Sequence, residues 1–497
     1  MNRELLSLCG PLREALHRTE YTADALLDAL GDDAHAALGR GEPVPVRRAT
    51  RDAGELGLLA RLFLLGDDCP VTDVAAALAP VDLDHAVAAG LLERDGALVR
   101  AALDLRPMDL GRGNYWVLSD LDGSMRPRTT APDHVLGVGH ASLSLLRGTP
   151  TAATGSVLDI GTGCGIQALH AAGYAQSVTA TDINLRALDL SAATFALNEV
   201  EVELHAGPWF EPVAGRRFDR VVANPPFVVG RARVEHTYRD SGLDLDGASE
   251  LMISRAVDHL EPGGTASMLA SWLHVDGDDW RSRVASWLPA HGVDAWIVQR
   301  DVADPALYVG TWMRDAGLDP RDPATAAQAE AWLSHFAEND VEGIGFGFVY
   351  LRRTDEASDV LAEDLRHGYS DPLGDEALGY FDRVAWLRER DVLENQFVVA
   401  ASTALERVYL PGDEGWRQVV ARLHRGDGPA WQHEVDDLAA ALLGGMRAEG
   451  LALNELVELL AAAHGEGAER LVAASVPLVH SLVRHGLVLP ADLAPAG

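Results

Sequence analysis

Ser156-Val157-Leu158-Asp159-Ile160-Gly161-Thr162-Gly163-Cys164-Gly165 is the stretch that decides how this chain folds. An apolar run ends on an acid, and glycine then recurs at alternate positions. Residues 156–160 read as a buried strand and residues 164–172 as the helix that follows. Glycines at a strand-to-helix turn permit a tight bend and let the backbone approach a ligand closely. A dinucleotide fingerprint would need its third glycine at position 166, where Ile166 stands. Alternate glycines, with an acid two residues ahead of the first, suit a cofactor that has no pyrophosphate. Asp159 is expected to hold the cationic end of that cofactor. The turn through Gly161, Thr162, Gly163 and Gly165 is expected to lie beneath its chain.

Outward from the turn the pattern repeats. A second strand over 177–181 ends in Thr181-Asp182-Ile183-Asn184. An acid there, about twenty residues past the glycines, accepts hydrogen bonds from both hydroxyls of a ribose. Ile183 adjoins the same sugar. A third strand over 201–205 leads to Gly207-Pro208-Trp209-Phe210. Trp209 and Phe210 offer a stacking face to a purine ring; the competing reading makes both of them core. A helix over 185–197, a strand over 218–223, a helix over 248–260 and strands over 265–270, 294–299 and 345–352 complete the alternation. The expected class is α/β, with a Rossmann-like, mostly parallel, seven-stranded sheet spanning residues 106–355. Ligands of such sheets sit beyond the carboxyl ends of the strands.

Asn224-Pro225-Pro226-Phe227 stands at the carboxyl end of the fourth strand. A planar nitrogen, in an amide or a nucleobase amine, is a poor nucleophile because its lone pair is delocalised. The Asn224 side-chain oxygen can accept one of its N–H groups and the Pro225 carbonyl the other. Pro225 and Pro226 stiffen the turn, so both acceptors stay in place. Phe227 can stack on the planar group.

Taken together, Asp159 to Gly165, Asp182 and the Asn224-Pro225-Pro226-Phe227 motif resemble class I S-adenosylmethionine-dependent methyltransferases of the small, amino-methylating type. That group includes the release-factor glutamine methyltransferases and the ribosomal RNA guanine-N2 and adenine-N6 enzymes. The flanks resemble those of a larger actinobacterial form. The resemblance implies a sheet that binds S-adenosylmethionine, releases S-adenosylhomocysteine, and methylates a planar nitrogen. It implies cofactor contacts from Asp159, Gly161, Gly163 and Asp182, and acceptor contacts from Asn224 and Pro225. One position departs from the pattern: many relatives carry an acid near the adenine amine where this chain has Pro208.

Residues 228–246 follow the motif and carry Arg231, Arg233, His236, Tyr238, Arg239 and Asp240. They are expected to overhang the acceptor; the bland reading is a solvated loop with ordinary ion pairs. Upstream of the first strand, Arg126, Arg128, His134 and His140 lie in a stretch that packs over the cofactor in relatives, with the histidines structural. No metal-ligand spacing is present.

The flanks differ in texture. Residues 1–105 read as helices over 55–65, 71–78 and 82–92, then a strand-like run over 98–105 after Asp95-Gly96. That is the order in which a winged helix begins. Asp73, Asp82 and Asp84 on its helices favour a helical cap or dimerisation module over a DNA reader. Residues 356–497 read as helix-rich, with helices over 431–446, 452–464 and 468–485 and a closing strand over 487–490, a possible second winged-helix-like unit.

The chain has 497 residues, 47% hydrophobic and 23% charged, an ordinary globular balance. There is no apolar run near the roughly 20 residues of a membrane helix and no secretory leader pattern. Three scattered cysteines, Cys9, Cys69 and Cys164, point to a reducing cytoplasm. The net charge is −34 and there is no lysine. A polyanion would be repelled unless arginines form a local patch. That tilts the acceptor toward a protein, peptide or small metabolite, while the winged-helix-like flank tilts it back toward nucleic acid. A catalytically silent scaffold or winged-helix regulator is the reading from another class, and paired acceptors at Asn224 and Pro225 argue against it. Oligomeric state is not legible.

Overall fold

The computed structural model describes residues 2–495 apart from 122–130, 227–228, 231–241, 316–317, 366–367, 370–372 and 414. The run before the glycine turn forms strand β1, Thr154–Ile160, whose last four residues are buried. Its sheet continues with β2, Ala175–Asp182, and β3, Glu203–Ala206. Then come β4, Phe218–Ala223, and β5, Leu260–Val275. The last three are β6, His291–Ala303, β7, Val341–Ala357, and β8, Val360–Asp364. The spatial order is β8-β6-β7-β5-β4-β1-β2-β3. From β5 to β3 every neighbour is parallel, as crossover helices require. β7 runs antiparallel between β5 and β6.

The order reverses between β1 and β4, so their carboxyl ends open a crevice. The glycine turn leaves β1 at this crevice, and Asn224 leaves β4. Helix Leu185–Leu197 covers one face behind them, capped by Asn184, whose side chain accepts from Arg186 N. A core of Leu158, Ile160, Val221, Met268, Trp272, Val293, Ile297 and Val349 packs the other side.

The sheet has eight strands, one more than the spacing predicts. β8 pairs in parallel with β6, from Ala295 with Val360 to Gln299 with Asp364. It is short, ends in two acids, and follows Asp355-Glu356, so its apolar signal is weak. The sheet therefore runs past residue 355, where a boundary was expected.

By internal contacts the chain divides into two compact units, Met1–Leu146 with Ala152–Asp364, and Arg147–Thr151 with Leu365–Gly497. In the first, the N-terminal elements are bolted to the α/β part. Helix Arg3–Arg18 lies on helix Leu185–Leu197, with Arg13 Nη1 donating to the Ala196 carbonyl at 3.1 Å. The hairpin Leu103–Asp109 with Asn114–Asp120 joins it. Trp116 and Asn198 exchange hydrogen bonds at 2.9 and 2.7 Å. Ahead of that hairpin come strand Cys69–Pro70, helices Val71–Ala77 and Leu83–Ala88, and strands Leu92–Asp95 and Leu98–Ala101. This is the winged-helix order. The helix expected over 82–92 stops early because Gly90 takes φ +79°, and its end becomes the first wing strand.

The second unit holds helices Leu373–Glu389, Leu453–His464 and Ala468–Arg484, with Phe397–Val399 paired to Val488–Pro490. It also holds a long hairpin, Thr403–Gly412 with Gly415–Arg425, in a region read as helical. Gln432–Glu434 adds a third strand. The helix expected from 431 starts only at Asp437, where Asp436 caps Ala439 N at 2.7 Å. Buried Glu376 binds two arginines here, Arg425 at 2.7 and 2.5 Å and Arg383. Among the described residues no helix is long and apolar enough to cross a membrane.

Gly345 and Gly347 on β7 let the Trp272 indole and the β6 backbone lie flat against the strand. A Cβ at Gly347 would collide with the Val298 carbonyl oxygen and come within 3.0 Å of Trp272. Gly347→Ala is therefore expected to cost about 3 kcal/mol, at the upper end for overpacking. Urea unfolding followed by tryptophan fluorescence measures it; an unchanged midpoint would show that the strand yields freely.

Candidate functional site

Gly161, Gly163 and Gly165 have φ of +73°, +55° and +87°, a left-handed region that strains any residue with a Cβ. The three serve different ends. A Cβ on Gly165 would sit 2.8 Å from the Phe195 ring, so this glycine lets the turn close onto helix Leu185–Leu197. Gly163 has open space where its side chain would be. A Cβ on Gly161 would meet Pro225 Cα at 3.9 Å and the Asn224 carbonyl at 4.0 Å. The glycine turn and the Asn-Pro-Pro turn, about sixty residues apart in sequence, are thus pressed together at the switch point.

They share a cavity of about 310 Å³. Its wall includes Gly161, Thr162, Gly163, Asp182, Ile183, Trp209, Asn224, Pro225 and Pro226 of the residues singled out from sequence. Three of the expected cofactor contacts are not on the wall. Gly165 backs onto Phe195. Phe210 is buried in the core and stacks on His259 at 4.6 Å, so the competing core reading holds for it, whereas Trp209 is half-buried, packed against the core and on the cavity wall. Asp159 lies behind the turn, with Oδ2 accepting from Thr162 Oγ1 at 2.7 Å and Ala168 N at 3.2 Å. Its immediate work is to brace the turn and the start of helix Ile166–Ala171. Phe227, Arg231, Arg233, His236, Tyr238, Arg239 and Asp240 lie outside the described residues, as do Arg126 and Arg128.

The polar groups at the cavity include two carboxylates, Asp182 on the wall and Asp159 behind it. Asp182 accepts Gly163 N at 2.9 Å on one oxygen and Asn184 N at 2.8 Å on the other. Each oxygen keeps a second lone pair for a donor. Burial pushes the Asp182 carboxyl up, against the pull of these amides. Asp159 is pushed up to about 7 by burial, despite the Thr162 and Ala168 donors. Its Oδ1 is buried without a hydrogen-bond partner, and so is Thr181 Oγ1 on the cavity wall. Buried acceptors left open in this way cost free energy unless a ligand completes them.

Segment 134–142, in the stretch expected over the cofactor, does line the cavity, through His134, Val135, Leu136 and Gly137 among others. The sequence reading missed one part of the site, the helices inserted between β6 and β7. Helices Pro305–Asp315 and Pro323–Glu338, inserted between β6 and β7, flank the chain leaving the Asn-Pro-Pro turn. Buried Val229 N donates to Tyr308 Oη at 2.7 Å. A Cβ on Gly230 would touch the Trp332 ring at 3.6 Å, and Leu245 N donates to the Gly230 carbonyl at 2.7 Å. Tyr308 is packed among Trp312, Trp332, Phe336 and Phe346. The signal was present as aromatic pairs spaced by four, Tyr308 with Trp312 and Trp332 with Phe336.

Comparison with known proteins follows this geometry. Residues 137–273 match the methyltransferase small domain. Residues 18–102 and 378–490 each match a different domain of unknown function. The chain is 34% identical over 119 residues to ribosomal RNA small subunit methyltransferase C of Erwinia tasmaniensis, covering 24% of this chain and 31% of that protein. The Salmonella newport protein of the same name is 36% identical over 163 residues, covering 32% and 43%. The chain thus spans less than half the length of the curated relatives it matches. Among solved structures, the T. thermophilus 16S rRNA N2 G1207 methyltransferase in complex with AdoMet and guanosine aligns at 19% identity and TM-score 0.28, covering 48% of this chain and 56% of that one. The [4+2]-cyclase SpnF aligns at 17% identity and TM-score 0.27, covering 43% and 79%. Residues 137–273 thus resemble a methyltransferase small domain, set between two segments that match domains of unknown function.

Proposed function

We propose that the chain methylates the exocyclic amine of a guanine in ribosomal RNA, acting in the cytoplasm. The observation that carries this reading is the contact between the Gly161 turn and the Asn224-Pro225-Pro226 turn on one cavity. Asn224 and Pro225 line the same cavity as the glycine turn, which supports paired acceptors for an N–H₂ group beside the cofactor. The ribosomal RNA relatives support a nucleobase over a peptide amide. Three buried free cysteines suit a reducing compartment.

S-adenosylmethionine supplies a methyl group made electrophilic by its sulfonium. The residues of the chain hold and orient. Asp182 accepts the ribose hydroxyls on the two lone pairs its backbone donors leave open. Trp209, held at φ +50° at the cavity wall, offers its ring to adenine. Asn224 Oδ1 accepts one N–H of the incoming amine and the Pro225 carbonyl accepts the other. The amine lone pair is then aimed along the line of attack. The Pro225 and Pro226 rings keep the two acceptors from turning away. The spare proton leaves to water after transfer, so no strong base is needed. The gain in rate is orientation and electrostatics.

The test is transfer of labelled methyl from S-adenosylmethionine to small-subunit ribosomal RNA transcribed in vitro, with RNase and protease controls. Digestion to nucleosides should return the label as N2-methylguanosine; label that resists RNase would sink the RNA reading. Asn224→Ala is expected to keep cofactor affinity and lose about 100-fold in turnover, as for a lost transition-state hydrogen bond. Full turnover in that variant would refute the amine-polarising role. Asp182→Ala should weaken S-adenosylhomocysteine binding about 100-fold in calorimetry, the worth of two charge-assisted bonds.

Asp159 gives a pH signature. Its folded pKa, about 7, lies above the ordinary 3.8, so stability of the cofactor-free protein should fall as pH rises from about 4 to 7. A cationic amino group nearby favours the ionised form, so binding at pH 6 should release up to about one proton. Calorimetry in two buffers of different ionisation enthalpy counts it. Asp159→Asn should abolish both the release and the slope; proton release that survives the substitution assigns it elsewhere.

A further inference from the structure

One part of the cavity wall comes from outside the parallel sheet. Residues 134–137 precede β1 and have no regular structure to hold them. What holds them is Asp120, the last residue of strand Asn114–Asp120, which is 7% exposed. Its main-chain N–H donates to the Val135 carbonyl at 3.0 Å, and Val135 N donates back to Asp120 Oδ2 at 2.9 Å. His134 Nδ1 lies 3.6 Å from the same oxygen. Arg186 grips the carboxylate from the far side, with Nε at 3.2 and 2.9 Å from its two oxygens and Nη2 on Oδ1. Burial would push this carboxyl up, but Arg186 and the Val135 amide outweigh it and hold it below its ordinary value.

The grip continues to the cofactor side. Arg186 N donates to Asn184 Oδ1 at 3.0 Å, and Asn184 N donates to Asp182 Oδ1 at 2.8 Å. Asn184 Nδ2 donates to the Asp133 carbonyl at 2.8 Å, closing the circuit onto the wall segment. Asp120 and Asp182 are therefore two carboxylates at opposite ends of one hydrogen-bonded path. One faces the cavity and the other clamps the segment that closes it. A buried, fully engaged carboxylate of this kind fixes geometry more than it adds stability.

We propose that Asp120 is a positioning residue for the cofactor: through Val135 and Arg186 it locks residues 134–137 against the cavity that Asp182 and the glycine turn form. This rests on that cavity being the S-adenosylmethionine site. The wall segment is then pre-formed, and its removal acts on how long the cofactor stays.

The test uses the full-length protein and S-adenosylhomocysteine. Calorimetry gives affinity at 25 °C, stopped-flow tryptophan fluorescence gives dissociation, and the thermal midpoint is taken without ligand. Wild type should bind; if it does not, the cofactor reading falls and this proposal with it. Asp120→Ala should weaken binding about tenfold, mostly through faster dissociation. Asp120→Asn keeps an acceptor for Val135 N and should fall between. Arg186→Gln, at a side chain 38% exposed, should lose about fivefold and stay folded even if Asp120→Ala does not. A lowered thermal midpoint with unchanged dissociation would mark Asp120 as merely structural and overturn the proposal. Arg186→Gln affinity within twofold of wild type would overturn it equally.

Discussion

The backbone of Gly161, with no side chain and a left-handed φ, lies against Pro225. That adjacency sets the two turns side by side at the cavity. β1 and β4 are neighbours only because the strand order reverses between them. Their carboxyl ends both line one cavity. A Cβ at 161 would have to exist in a strained left-handed conformation, although it would meet Pro225 only at an ordinary contact distance. On the proposed reading, the glycine turn and the Asn224-Pro225 acceptors are held side by side by the sheet before any ligand is present, so orientation need not be assembled at the moment of reaction.

Much of this was legible in the sequence because it is written in local patterns. The glycines, Asp182 and Asn224 each occur at a strand end, and the strands announce themselves as short apolar runs. Trp209 and Phe210 were not separable by pattern, since adjacent residues on a turn point apart and either could have faced the cavity. Asp159 was readable as an important acid but not as one that braces Thr162 and Ala168 from behind. That distinction depends on which way a carboxylate turns at the end of a strand. Asp120 and Tyr308 were missed for a different reason. Each acts on a segment that is distant in sequence and has no regular structure, Val135 in one case and Val229 in the other. No periodicity records such a bond.

The flanks show the same division. The winged-helix order of the N-terminal part was visible in the succession of helices and the Asp95-Gly96 turn, although Gly90 moved one boundary. The hairpin Thr403–Gly412 with Gly415–Arg425 was not, because most of it is exposed on both faces and lacks the alternation that marks a half-buried strand. β8 escaped because an edge strand needs only one partner and a few apolar residues.

The helices Pro305–Asp315 and Pro323–Glu338 leave the sheet after β6 and return to it at β7, and these strands are hydrogen-bonded neighbours with Ala303 opposite Ile344. Entry and exit of the insertion are therefore adjacent in space, and the ladder is complete without it. A segment attached in this way can be lengthened, exchanged or rebuilt over evolutionary time while the catalytic scaffold beneath stays unchanged. It buttresses the chain leaving the Asn-Pro-Pro turn, so changes within it would reshape that side of the cavity mouth and leave the sheet as it is.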